Sequence, residues 1–195
     1  MNRAVFLDRD GVINRKAREG GYVTRWEEIE ILPGVPDAIA RLNSKGFRVV
    51  VVTNQRCISR QIVTASEVEE IHKRLCGELA AKGAMIDDIY YCPHEENPPC
   101  LCRKPAPGML LNAARDHGID LRASWMVGDS ESDIAAGKAA GCKTVRLQSD
   151  EPPFLKADFI SDSLLDGVRK ILQEEVSESP YATAHKFDRL KGRPW

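Results

Sequence analysis

Asp8 and Asp10 follow an apolar run, Ala4-Val5-Phe6-Leu7, and stand two residues apart. If the alternation of a strand continues through them, both carboxylates face the same way into one small space. Two such anions repel unless a cation lies between them. An all-oxygen ligand set with octahedral preference points to Mg²⁺, and Asp129, placed after Trp125-Met126-Val127-Gly128, supplies a further carboxylate. A phosphate oxygen and water are the remaining ligands expected. Thr53-Asn54 follows Val49-Val50-Val51-Val52 with a hydroxyl and a backbone N–H, and Lys104 adds a compact positive charge. Those three groups make a cradle for phosphoryl oxygens.

A second set has different chemistry. Cys92-x-His94-x₅-Cys100-x-Cys102 offers three thiolates and an imidazole, which satisfy tetrahedral Zn²⁺ and leave no position for water, so the metal expected there is structural. Free thiols and a disulfide are the competing readings. Pro93, Pro98 and Pro99 keep the segment out of regular structure and limit the entropy lost on wrapping a metal. The segment runs into Arg103-Lys104, so a tied loop would hold Lys104 on the reacting phosphate.

The elements that must position these residues are short. Apolar runs at Ala4–Leu7, Val49–Val52, Ile86–Tyr91, Trp125–Val127 and Thr144–Leu147 alternate with stretches of helical period, the grammar of a parallel α/β sheet. One helix is expected from Pro36 to Gly46 with Ile39 and Leu42 inward. Another opens on the capping pattern Thr64-Ala65-Ser66-Glu67 and buries Val68, Ile71, Leu75 and Leu79. Pro107 to Gly118, Glu131 to Gly141 and Leu164 to Glu174 complete the series. In such sheets ligands bind beyond the carboxyl ends of the strands, where the Asp, Thr and Asn residues fall. His72 and Cys76 stand four apart but lie along the apolar stripe, and packing is the role expected of them.

The length of 195 residues suits one domain, over residues 1–175 with the zinc loop at 92–102, followed by a polar tail at 176–195. Lys plus Arg total 28 against 29 Asp plus Glu, so no overall field draws the chain to nucleic acid or anionic lipid. No apolar run approaches the roughly 20 residues of a membrane span, and no export signal is visible. A cytoplasmic monomer with no nucleic-acid or membrane partner is expected.

Asp8-Arg9-Asp10-Gly11-Val12, Thr53-Asn54, Lys104-Pro105 and Gly128-Asp129-Ser130-Glu131-Ser132-Asp133 together resemble the four motifs of the haloacid dehalogenase (HAD) superfamily of phosphatases. The resemblance spans roughly residues 3 to 148. It implies a single Rossmann-like domain, a parallel central sheet flanked by helices, with a minimal cap and a zinc-binding loop. Within the superfamily, Phe6–Gly11, Val52–Gln55, and Tyr90–His94 followed by Cys100–Pro105 resemble the D-glycero-D-manno-heptose-1,7-bisphosphate 7-phosphatase family. That resemblance implies a nucleophile at Asp8, a general acid/base at Asp10, and Mg²⁺ held by Asp8, the Asp10 main-chain carbonyl and Asp129. Asp133 is expected behind the metal site. A sugar phosphate is the substrate implied, with contacts from Arg9, Glu19, Gly20, Gly21, Tyr22, Gln55, Arg56, Arg103 and Ser130. Histidinol phosphate is the nearest family alternative. A phosphorylated receiver domain and a DNA 3′-phosphatase are the rivals from other classes, disfavoured by Asp10 and by the balanced charge respectively.

Overall fold

The computed structural model of the chain describes residues 2–18, 20–149 and 154–177. Six parallel strands form one sheet in the order β3-β2-β1-β4-β5-β6. They are β1 (Ala4–Leu7), β2 (Arg48–Asn54), β3 (Asp88–Cys92), β4 (Trp125–Gly128), β5 (Lys143–Leu147) and β6 (Phe159–Ser161). β1 lies between β2 and β4, with Leu7 opposite Val51 on one side and Val127 on the other. The strand order reverses direction at β1, so the crevice beyond its carboxyl end is the natural ligand site of the topology.

The strands read as continuous apolar runs because both faces are covered. Val5, Leu7, Val49, Val51 and Val127 point into one core shared with α1 (Val35–Ser44), α2 (Ala65–Ala80) and α5 (Leu164–Ser177). The alternate residues Ala4, Phe6, Val50, Val52 and Met126 meet α3 (Gly108–His117), through Met109, Leu110 and Ala113, and α4 (Glu131–Ala140), through Ala136. Thr64 caps α2 as its sequence predicts: its hydroxyl accepts from the Glu67 N–H, and the Glu67 carboxylate accepts from the Thr64 N–H. Glycines in the left-handed region close α3 at Gly118 and α4 at Gly141.

Two features differ from expectation. α5 continues three residues past Glu174 to Ser177, and Glu175 forms an ion pair with Arg3. Most of the expected tail, residues 178–195, lies outside the described residues. β6 has no counterpart in the apolar pattern because it is three residues long with Ile160 half exposed; it is fixed by pairing with β5 and by Phe159 stacking on Trp125, centroids 5.6 Å apart. Among the described residues, no helix is long and apolar enough to cross a membrane.

Candidate active site

The polar residues of the four expected motifs converge beyond β1, β2 and β4. Lys104, 3% exposed, is the hub. Its ammonium lies 2.8 Å from Asp8 Oδ1 and 2.6 Å from Asp133 Oδ1, and donates to the Val52 carbonyl at 2.7 Å. The contacts to Asp8 and Val52 are hydrogen bonds, and the contact to Asp133 is an ion pair. Burial lowers the Lys104 pKa, but the two facing carboxylates outweigh it, and the ammonium stays charged with a net upward shift. Asn54 fixes the loop that carries it: its side-chain amide accepts from the Lys104 N–H at 3.1 Å and donates to the Lys104 carbonyl at 3.0 Å.

Asp8 sits just past the end of β1. Burial raises its pKa, Lys104 opposes that, and the charges of Asp133 and Asp10 add to it, bringing the carboxyl up to about 7. Carboxylate oxygens of Asp8, Asp129 and Asp133 lie within 4.8 Å of one another. Asp129 Oδ1 is buried with no hydrogen-bond partner, while Oδ2 is 2.6 Å from Lys16 Nζ. A concentrated, partly unsatisfied set of hard oxygen donors fits a divalent cation. Gly11 keeps this space open: its φ is +93°, and a Cβ there would lie 2.1 Å from Asp129 Oδ2. Asp133 does two jobs, meeting Lys104 through Oδ1 and capping α4 by accepting from the Ser130 N–H and hydroxyl through Oδ2.

Strand alternation does not continue through Asp8 to Asp10, which corrects the expectation of two parallel carboxylates. After Leu7 the chain turns, and the N–H groups of Ile13 and Asn14 converge on the Arg9 carbonyl. Asp10 therefore lies outside the three-carboxylate set. Its side chain accepts from Arg9 at 2.8 to 3.2 Å, from Asn14 Nδ2 at 2.9 Å and from Gln55 Nε2 at 3.2 Å. Burial raises the Asp10 pKa, but the Arg9 charge and these donors more than offset it, for a net downward shift.

The residues expected to touch substrate divide into two groups. Arg9 is fully buried, Gln55 is 3% exposed, and Ser130 spends its hydroxyl on Asp133 and Ser132. These three stand behind Asp10, Thr53 and Asp133 as supports; the motif shows that they are adjacent to the site, and the turn after β1 and the cap of α4 decide where they point. Arg56, Tyr22 and Arg103 lie at the rim. Arg56 donates to the Tyr22 hydroxyl at 2.8 Å, and Arg56 and Arg103 each approach Glu96 Oε1 at 3.2 Å. Gly20 and Gly21 form an exposed turn, and Glu19 lies outside the described residues. A cavity of about 430 Å³ lies along the loop that carries Lys104, lined by Asn54, Glu96, Arg103, Lys104 and Ser132 among others. Sequence reasoning missed Lys16, Asn14, Glu96 and His72. Asn14, four residues after Asp10 with a side-chain amide able to donate to it, carries the one local signal.

The four Cys/His ligands form a compact tetrahedron, with Sγ and Nδ1 atoms 3.3 to 3.6 Å apart along the contacts between them. Zinc bonds of about 2.3 Å to sulfur and 2.0 Å to nitrogen imply edges of roughly 3.5 to 3.8 Å, so the set fits Zn²⁺, and all the thiols are free. Burial raises the Cys100 thiol, but the Arg103 N–H, donated to its sulfur at 3.3 Å, and the neighbouring thiols reverse this and bring it down to about 6. A thiolate is the form that a metal binds.

An open parallel sheet with an aspartate after β1, a Thr-Asn pair after β2, a buried lysine and an aspartate after β4 is the architecture of one hydrolase family. The sequence model of haloacid dehalogenase-like hydrolases matches residues 2–141, and the chain belongs to that family. It is a phosphatase. Its relatives include the D-glycero-beta-D-manno-heptose-1,7-bisphosphate 7-phosphatase of Escherichia coli (strain K12), 39% identical over 178 residues, 87% of this chain and 92% of that protein. The enzyme of the same description from Rhodopseudomonas palustris is 38% identical over 155 residues, 76% of this chain and 84% of that one. The crystal structure of D,D-heptose 1,7-bisphosphate phosphatase from B. bronchiseptica, complexed with magnesium and phosphate, matches with a TM-score of 0.79 at 33% identity, covering 88% of this chain and 99% of that one.

Proposed function

We propose that the protein removes the 7-phosphate of D-glycero-D-manno-heptose 1,7-bisphosphate through an aspartyl phosphate on Asp8. The observation that carries the chemistry is the Lys104 ammonium, buried between Asp8 and Asp133, on a loop that also lines a cavity with Arg103 and Glu96. Asp8 attacks phosphorus from the end of β1, and Lys104 offsets the negative charge gathered there. Asp10 donates a proton to the leaving sugar oxygen. Its carboxyl has a lowered pKa as it stands, and the phosphate dianion delivered beside it pushes that value back up, because a like charge disfavours the ionised form. Ionised after the transfer, Asp10 then takes a proton from the water that attacks the acyl phosphate, and inorganic phosphate leaves.

Asp8, Asp129 and the Asp10 carbonyl would hold Mg²⁺, which supplies charge neutralisation for the phosphoryl oxygens. Cys92, His94, Cys100 and Cys102 would hold a structural Zn²⁺ that fixes the loop between β3 and Lys104. Arg103 and Arg56, both paired with Glu96, are suited to a second anionic group of the substrate because a planar guanidinium grips phosphate by two hydrogen bonds. Free thiols throughout the described residues accord with a reducing compartment, the cytoplasm.

Phosphate release from the heptose bisphosphate, histidinol phosphate and a 3′-phosphorylated oligonucleotide tests this reading. The bisphosphate is expected to give the highest kcat/KM, by at least about tenfold, in a protein that carries zinc on purification and requires added Mg²⁺. A preference for either of the others, or turnover undiminished by magnesium chelation, overturns the corresponding part.

A further inference from the structure

His72 lies on the buried stripe of α2 between Val68 and Leu75, where a packing residue is expected, and it is 5% exposed. Its Nε2 is 3.1 Å from Arg9 NH1. Arginine has no acceptor, so Nε2 must accept and the ring proton must sit on Nδ1. The other edge of the same guanidinium, through Nε and NH2, grips both oxygens of Asp10. Arg9 is fully buried between a helix and a turn and meets an acceptor on each of two sides.

We propose that His72 is a positioning residue for the acid/base: as a neutral acceptor it fixes the far edge of Arg9, so that the near edge holds Asp10 in place. The inference rests on the role given to Asp10 above. The residue type follows from the demand. A carboxylate at position 72 would pair with Arg9 and compete with Asp10 for it. An apolar side chain would leave a buried N–H without a partner, and the guanidinium would turn to recover one. Imidazole supplies a lone pair without a charge. Burial, followed by the charge of Arg9, pushes the His72 pKa down to about 3, so the ring remains an acceptor at any working pH. The backbone on both sides is stiff: His72 is in the third turn of α2, and its ring packs edge-on against Tyr91 of β3 at 5.7 Å and 62°.

The test uses leaving groups. A misplaced general acid slows loss of a poorly leaving sugar oxygen and leaves an activated aryl phosphate almost untouched, whereas general damage to the fold slows both. His72→Phe keeps the ring and the Tyr91 contact but removes the acceptor; His72→Leu substitutes for it if the phenylalanine fails to fold. The expected result is a loss of about 10 to 30-fold in kcat/KM for the sugar phosphate, carried by kcat, and less than about twofold for p-nitrophenyl phosphate, part of the 10² to 10⁴ that general acid catalysis supplies. His72→Gln, which restores a neutral acceptor, is expected to recover activity to within about threefold. Equal losses on both substrates, or no recovery with glutamine, overturn the inference. Asp10→Asn is assayed beside them: if it fails to discriminate between leaving groups, the role of Asp10 falls, and if it discriminates while His72→Phe does not, the role of His72 falls alone.

Discussion

Two neighbouring residues of one loop, Arg103 and Lys104, are held by opposite physics. Lys104 has a side chain 2% exposed and closes a box with Asp8, Asp133 and a backbone carbonyl. Arg103, its side chain 13% exposed, meets Glu96, whose side chain is 63% exposed and which Arg56 also contacts. Breaking a buried pair strands a charge in a poor solvent and costs about 3 to 5 kcal/mol, whereas an exposed pair is worth about 0 to 1. The centre therefore has one arrangement, and the rim exchanges partners at little cost. On the proposed function, the difference would separate chemistry, which needs a fixed nucleophile, from recognition, in which Glu96 would give up its arginines to an arriving anion.

Substitution at the centre should have the largest effect. Asp8→Asn removes the nucleophile but keeps an oxygen facing Lys104, whose charge Asp133 still pairs, and turnover is expected to fall by more than about 10³-fold with the fold intact. Residual activity within about tenfold of wild type, ~1.4 kcal/mol of barrier, would show that Asp8 is not the nucleophile.

At the rim the effect should be smaller and selective. Arg103→Ala is expected to lower kcat/KM for the bisphosphate by about 10 to 100-fold, the value of one or two charge-assisted contacts, and to leave a small aryl phosphate nearly unchanged. Lys104→Ala should damage both substrates alike. Equal losses for Arg103→Ala on the two substrates would move Arg103 from recognition into the service of the reacting phosphate and erase the distinction between rim and centre.

Legibility from sequence follows the same divide in part. Strands buried on both faces leave continuous apolar runs, so β1, β2, β4 and β5 were legible, and the carboxylates, Thr-Asn pair and lysine at their ends could be placed at one crevice without coordinates. β6 was not legible, because its position comes from Phe159 on Trp125 rather than from any pattern of its own. The direction of a side chain was the commoner failure. Arg9, Gln55 and Ser130 sit in the right motifs but turn their polar groups to neighbouring side chains: Arg9 to Asp10 in the turn after Leu7, Gln55 to Thr53 and Asp10 after β2, and Ser130 to Asp133 in the cap of α4. His72 shows the converse: its own helix marks it as core, and only the fold brings Arg9, 63 residues earlier, against it. Long-range polar pairs of this kind leave no periodic trace.

The smallest effect predicted concerns protons at the centre. Burial first, and then the charges of Asp133 and Asp10, hold the Asp8 carboxyl up at about 7 against the pull of Lys104, and burial also raises Asp129. A cation binds the ionised forms, so below about pH 7 it must displace a proton from Asp8, and its apparent affinity falls as the pH falls. For one proton the limit is about tenfold per pH unit; above about pH 8 the carboxylate is already ionised and the dependence should vanish. The expected observation is a half-activating Mg²⁺ concentration several-fold higher at pH 6 than at pH 7.5, and nearly constant from pH 8 upward. The rim supplies the control, because Arg103→Ala, remote from these carboxylates, should leave the slope unchanged. A flat profile from pH 6 to 8 would mean that Lys104 and the cation hold Asp8 ionised throughout, and the charge balance assigned to the buried centre would have to be redrawn in favour of the lysine.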